Sequence, residues 1–378
     1  MSSLTPPQRP TSSRKAAATK SRALALLGAC LCLFLLDCLV FRTPWYAGIL
    51  APDSAAGRFE MVLSRESTAQ TRYGDNLIVA LGDSRLGITP KLCNDLEPET
   101  GYFFRSAGVA GTDPRAWYYM LRDLDPTARR YRAILLTVNS YDDEEDFSHP
   151  DDDIRALHFA IARLRLTDVI SFALSFHSAV VKWQAFRGAL LKGLVYQADF
   201  QDFLSNPKKR LHDVRINRRF FETGTYGYLP PDKTMQGVAI DWKTLTASFP
   251  ADADENQRGT TEAVALRPPA PQTGRFAAYR RLWFGQIVNR YATSPTKIVF
   301  LRLARGPFPR PDYLSRATTS SIREFSARPN VLLCDEHAFE SLERPELFGD
   351  AVHLNGIGAQ RFSRMLAEKI GAVLGAPK

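Results

Sequence analysis

The sequence predicts an α/β fold: a parallel sheet covered on both faces by helices, tethered by one N-terminal transmembrane helix and interrupted by a helical insertion. Three observations predict it. Four short runs, Leu77–Leu81, Ala133–Val138, Lys297–Leu301 and Val331–Leu333, are almost wholly apolar and are each followed by a glycine or a more polar residue, as strands buried on both faces are. Helical patterns over residues 114–124, 276–291 and 358–374 separate or follow them, and this alternation marks a parallel sheet with its site at the carboxyl ends of the strands. Ahead of all this, Ala23–Phe41 runs for 19 residues with the single charge Asp37.

In chain order, residues 1–22 read as a disordered cytoplasmic tail. They hold Arg9, Arg14, Lys15, Lys20 and Arg22 and no acid, five of the formal net charge of +9. Residues 23–41 are long enough to cross a hydrocarbon core of about 30 Å as a helix. The basic flank sets the N-terminus inside and the rest outside, with Trp45 and Tyr46 as interfacial anchors. A cleaved signal peptide would need a better cleavage site than FRTPWYAG, and the lipoprotein-like Leu27–Cys30 has too few apolar residues before its cysteine. Asp37, near the far end of the span, is expected to reach interfacial water or to be protonated. Residues 42–75 form a stem with a short amphipathic helix over 55–70. Residues 76–140 and 292–378 make the α/β domain, and 141–291 are a helical and irregular insertion. Within the insertion, the Phe-rich Asp168–Leu191 is a weak second span and reads better as a buried or interfacial helical segment. Residues 222–275 read as a long irregular excursion.

Composition excludes several classes. At 45% hydrophobic and 24% charged the chain is globular rather than disordered. The positive excess suits an anionic surface, but no nucleic-acid motif accompanies it, so no nucleic-acid partner is expected. Cys30, Cys32 and Cys38 fall in the apolar run, leaving Cys93 and Cys334 without CxxC or metal-ligand spacing. They read as two buried thiols, a disulfide being the alternative, and neither a metal nor a cofactor is expected.

The chemistry gathers at two distant points. LGDSRLGITP puts Ser84 in a turn directly after the first strand. A serine hydroxyl is a poor nucleophile without a base. FGDAVHLNGIGAQRF supplies one near the C-terminus: Asp350 and His353, three residues apart, share a face, so the carboxylate can hold the imidazole in its useful tautomer.

These blocks resemble the SGNH, or GDSL-type, hydrolase superfamily: GDS after the first strand, and DxxHLNxxG near the end. SAGVAGTDP is similar to the family's glycine block and LLTVNSYDD to its asparagine block, although Thr137 and Ser140 stand where the family has glycine and aspartate. The resemblance covers residues 77–140 and 297–374. It implies a flavodoxin-like three-layer sandwich, a Ser84, Asp350, His353 triad, and an oxyanion hole that includes Gly111, with Gly108 as second choice, and Asn139. A membrane anchor before such a domain resembles the teichoic-acid D-alanine transfer and alginate O-acetylation proteins. That implies a serine esterase or O-acyltransferase working on acyl groups of a cell-envelope or exported polysaccharide, with a membrane-bound O-acyltransferase as partner. The competing expectation is a non-catalytic glycan-binding or scaffold protein of a membrane acylation complex.

Other residues carry weaker signals. His149 with Asp151, Asp152 and Asp153 matches no calcium loop and reads as a solvated acidic loop. Arg85 could meet an anionic substrate or cover a helix with its stem. His158, His177, His212 and His337 read as packing or surface residues.

Overall fold

In the computed structural model, residues 12–69, 76–86, 93–145, 149–223 and 233–375 are described. The strands are β1 (Leu77–Leu81), β2 (Phe103–Ser106), β3 (Ala133–Val138), β4 (Ala239–Asp241), β5 (Thr246–Ser248), β6 (Lys297–Arg302) and β7 (Val331–Leu333). The helices of six or more residues are α1 (Ser12–Phe41), α2 (Ala55–Ala69), α3 (Pro114–Leu124), α4 (Arg155–Ala160), α5 (Val169–Leu174), α6 (Ala179–Leu190), α7 (Gly193–Ser205), α8 (Pro207–Thr223), α9 (Glu255–Thr260), α10 (Arg275–Arg290) and α11 (Gly356–Leu374).

Five strands pair in parallel in the order β2-β1-β3-β6-β7. The apolar runs make this sheet because its residues alternate between two buried faces. Leu77, Val79, Leu81, Ile134, Leu136, Ile298 and Phe300 pack against Phe59 and Val62 of α2, Met120 and Leu121 of α3, and Phe284 and Ile287 of α10. Ile78, Ala80, Ala133, Leu135, Val299 and Leu301 face Phe362, Leu366 and Ile370 of α11. The result is three layers. The strand order reverses between β1 and β3, and a doubly wound sheet opens a crevice at the carboxyl ends of such a pair. β2 was not among the expected strands. Its sequence, FFRS, has only four residues, and it lies at the sheet edge, where Arg105 turns out to Glu66 at 2.9 Å. The helix α10 falls in the range assigned to the insertion, yet it covers the sheet directly.

The insertion adds a further layer. Leu157, Ile161, Val169, Phe172, Phe176, Ala185 and Tyr196 pack on Tyr119, Tyr279 and Trp283, the outer sides of α3 and α10. Asp168–Leu191 is no span, since it breaks into the six-residue α5 and the twelve-residue α6. Asp152 holds the break, accepting the backbone N–H of His177 at 2.8 Å and of Ser178 at 2.6 Å. Residues 222–275 hold the β4–β5 hairpin and α9 besides loops, and 224–232 lie outside the described residues.

At the N-terminus, the tail expected over 1–22 lies outside the described residues as far as residue 11. From Ser12 onward it is helical and continuous with α1, because Ala16, Ala17, Ala18, Lys15 and Lys20 are strong helix formers that extend an existing helix without a new nucleus. Lys20–Phe41, which contains an 18-residue stretch of mean hydropathy 2.6, is the one helix among the described residues long and apolar enough to cross a membrane, a property a signal sequence shares. Asp37 does not reach water as expected. It is buried and accepts the backbone N–H of Lys192 at 3.1 Å and of Gly193 at 2.7 Å, capping the start of α7 as a carboxylate does at a helix N-terminus. Five residues on, Arg42 donates to the carbonyls of Ala189 at 2.6 Å and Leu190 at 2.9 Å, closing the end of α6. The end of α1 is thus docked on the insertion by polar bonds as well as by the rings of Phe41, Tyr46, Tyr196 and Phe200.

Candidate active site

β1 ends at Leu81, and the chain turns at once through Gly82, Asp83 and Ser84. Asp83 makes the turn, since one carboxylate oxygen accepts the backbone N–H of Arg85 at 2.9 Å and the Arg85 guanidinium folds back on the same carboxylate. Arg85 therefore clamps the Ser84 turn. Burial pushes the Asp83 carboxyl up, but the Arg85 charge and hydrogen bonds outweigh it and hold the group below its ordinary value. The turn points the Ser84 hydroxyl at the end of the sheet.

There it meets His353. The imidazole Nε2 lies 2.8 Å from Ser84 Oγ, and Nδ1 lies 2.8 Å from Asp350 Oδ2. Residues 269 apart in sequence form one chain of hydrogen bonds. Asp350 is fully buried. Its Oδ1 accepts the backbone N–H groups of Val352 and His353 at 2.9 and 2.8 Å, and its Oδ2 accepts from the side-chain amide of Asn256 at 3.1 Å. Burial raises the Asp350 pKa, yet the bond and charge of His353 and the two N–H groups together hold it below the ordinary carboxylate value. An ionised carboxylate on Nδ1 leaves Nε2 free to accept the serine proton.

The rest of the HLNxxG block explains itself structurally. Asn355 caps α11, its Oδ1 accepting the N–H of Gly358 at 3.0 Å, while its amide donates to the carbonyls of Lys233 and Glu346. Gly358 sits so close to the loop before it that an added Cβ would lie 2.2 Å from the Leu347 carbonyl oxygen. Motif and helix start thus fix His353 in place.

Gly111 and Asn139 line the same cavity as Ser84 and His353. Gly111 has φ +81°, a left-handed backbone that favours glycine. Its loop is fastened to the end of β1: Val109 N–H donates to Gly82 O at 3.1 Å, and the Thr112 hydroxyl, itself held by Trp117 Nε1 at 2.9 Å, donates to Val109 O at 2.7 Å. Gly108 packs instead on Leu86. Asn139 follows β3 and is exposed, without a hydrogen bond among the described residues. The loop it stands on is fixed by buried Arg280, which donates to Ser140 O at 2.6 Å and Asp142 O at 2.8 Å. The departures from the asparagine block have structural roles: the Thr137 hydroxyl donates to Leu81 O at 3.0 Å, and Ser140 Oγ accepts the Asp142 N–H at 3.0 Å.

The cavity has a volume of about 910 Å³ and is walled by charge of both signs, with Arg85, Arg155, Arg302, Arg305 and Arg310 beside Glu144, Glu336 and Glu340. Space of this size holds a ligand of several rings. His337 also reaches this wall, where Glu340 at 2.8 Å raises its pKa. Asn256 and Thr260, whose hydroxyl accepts the Ala351 N–H at 3.2 Å, come from α9 in the excursion and had no signal in the sequence.

Other candidates resolve as structure. Asp151 and Asp152 pair with Arg275 at 2.7 and 2.9 Å, so the acidic loop is tied down by a half-buried ion pair. No group of acidic, His and Cys residues able to hold a metal occurs among the described residues. Cys93 and Cys334 are separate buried thiols; Cys93 donates to Ser363 O at 3.1 Å, and burial pushes its pKa up to about 12.

Compared with known families and curated proteins, the sequence matches no family model and no curated protein.

Proposed function

We propose that the chain is a membrane-anchored serine esterase or O-acyltransferase of the SGNH type, whose catalytic domain lies outside the cytoplasm and acts on acyl esters of a cell-envelope or exported polysaccharide. The observation that carries this reading is the Ser84, His353, Asp350 chain, with both of its key separations at 2.8 Å. The strand order, the 2-1-3-4-5 of flavodoxin-like sheets, supports it. In the reaction, Ser84 Oγ bonds to the ester carbonyl carbon as its proton passes to His353 Nε2. The backbone N–H groups of Ser84 and Gly111 and the Asn139 amide receive the oxyanion. Collapse breaks the ester C–O bond, and His353 protonates the departing alcohol. Water or a second sugar hydroxyl, deprotonated by His353, then takes the acyl group from Ser84.

A cavity wall rich in Arg and Glu favours a hydroxyl-rich polymer over a long acyl chain, because sugar hydroxyls satisfy charged groups that hydrocarbon would leave desolvated. The bonds from Asp37 to the insertion favour an uncleaved anchor, since loss of α1 would strip this cap from α7. A membrane-bound O-acyltransferase beside it would supply the acyl groups.

The test is a fluorophosphonate probe. Labelling of the full chain at Ser84, located by peptide mass spectrometry and absent from Ser84→Ala and His353→Ala, is the expected result. An unlabelled wild-type chain would sink the catalytic reading and leave a scaffold.

A further inference from the structure

The insertion leaves an apolar surface that the fold does not use. On α5 and the turn before it, Leu166, Ile170 and Leu174 recur every four residues and are 48%, 59% and 65% exposed, forming one stripe. α6 packs beside α5 and presents Val180 and Trp183, 66% and 60% exposed. Of the five tryptophans, Trp117 and Trp283 are buried and Trp242 is half-buried, so Trp183 and Trp45 are the exposed ones. Trp45 lies just beyond the end of α1.

The charges carried by this stretch of sequence are mostly basic, although Arg163 is paired with Glu60 and Arg165 with Asp123 at 3.4 Å. Between residues 163 and 198, Asp168 is the single acid, against Arg163, Arg165, Lys182, Arg187 and Lys192, and Asp168 is taken up by Arg122 at 2.6 Å. Arg165 and Arg187 are exposed. The base of the hairpin is fixed at the end of the apolar helix, where Arg42 reaches Leu164 O at 3.4 Å at one end and Ala189 and Leu190 at the other. An apolar stripe with exposed tryptophan, edged by arginine and starting where a membrane-spanning helix ends, has the composition of an interfacial element.

From this the geometry points to a monotopic membrane contact: the α5–α6 hairpin lies in the headgroup boundary of an anionic bilayer, with Leu166, Ile170, Leu174, Val180 and Trp183 in its apolar side. The inference rests on reading α1 as a retained anchor. It gives the catalytic domain a second, rigid point of attachment. Buried Arg115, at the start of α3 just after the Gly111 loop, donates to Ser175 O at 3.2 Å in the hairpin turn and lies 3.7 Å above the Phe176 ring. Hairpin and active-site loop therefore move as one body, and lipid contact at the hairpin sets the orientation of the cavity toward its substrate.

The test uses the full chain in liposomes of phosphatidylcholine and phosphatidylglycerol, with Cys30, Cys32 and Cys38 replaced by alanine. Nitroxide labels are placed through Ile170→Cys, Leu174→Cys and Trp183→Cys. Leu31→Cys in α1 and Glu368→Cys, exposed on α11 beyond the opposite face of the sheet, serve as references. Collision with oxygen and with a water-soluble nickel complex is read by electron paramagnetic resonance. Hairpin labels are expected to show an oxygen-to-nickel ratio at least about threefold that at residue 368, approaching that at residue 31. Ratios equal to that at 368, with 31 in lipid, refute the contact and leave the anchor standing. Labels shielded from both reagents mean a protein partner covers the hairpin, which also refutes it. A water-accessible residue 31 overturns the anchor and this proposal with it.

Discussion

Ser84→Ala and His353→Ala each remove one end of the 2.8 Å bond that, on the proposed reading, activates the hydroxyl, and both side chains stand at the rim of a cavity rather than in the core. Each variant is expected to lose hydrolysis of a short aryl ester while its thermal unfolding midpoint stays nearly in place, because truncation there opens no core cavity. Asn139→Ala should slow the reaction about a hundredfold if its amide meets the oxyanion. Asn256 acts one bond further out, through Asp350 at 3.1 Å, and is a positioning residue. Asn256→Asp sets a second carboxylate against the first, which raises the pKa of the pair. The acid limb of its kcat/KM profile should move to higher pH, whereas Asn256→Ala lowers the rate without that displacement. An unmoved limb in Asn256→Asp would leave Asn256 a merely structural part of α9. The triad was legible in the sequence because each member sits in a short motif next to a strand or helix boundary. Asn256 was not, since nothing in ENQRGT signals a contact made only when the excursion folds back over the C-terminal loop.

At the scale of elements, the start of α11 ties the loop that bears His353 to its helix. Asn355→Ala removes the cap and also leaves the carbonyls of Lys233 and Glu346 short of a donor, so a loss of about 1 to 2 kcal/mol is expected in a urea titration. Gly358→Ala should cost more, since its Cβ meets backbone rather than a movable side chain. A Gly358→Ala midpoint above that of Asn355→Ala would remove the close approach as the reason for glycine at this position. Four of the five sheet strands were readable as nearly unbroken apolar runs, which burial on both faces gives to β1, β3 and β6. β2 was not, because Arg105, which reaches out to Glu66, and Ser106 break its apolar run after two phenylalanines, whereas the still shorter edge strand β7 keeps an unbroken VLL. The break between α5 and α6 was hidden for a related reason: it depends on Asp152, some 25 residues upstream, and not on any helix breaker within the apolar stretch itself.

On the scale of the whole molecule, the question is which side of a membrane the serine faces. The five basic residues of the first 22 face no acid before Asp37, and if α1 spans a membrane as proposed, such an asymmetry would hold the N-terminus in the cytoplasm. A reporter fused after Lys378 should therefore be active only in the extracytoplasmic compartment, and neutral replacements of Arg9, Arg14, Lys15, Lys20 and Arg22 should weaken that bias. The chain should also stay with membranes through an alkaline carbonate wash, because a helix of 22 residues whose apolar 18-residue stretch has mean hydropathy 2.6 binds far more firmly than a surface charge contact. Asp37 adds a check of its own. Asp37→Leu makes the span more apolar and so keeps it in the membrane, but it uncaps α7 and loosens the docking of the domain on its anchor. Faster amide exchange at Lys192 and Gly193, with carbonate resistance unchanged, is the expected outcome. Recovery of the intact chain in the soluble cytoplasmic fraction would remove the anchor and the polysaccharide reading together. The triad would survive that result, because its hydrogen bonds involve no residue of α1.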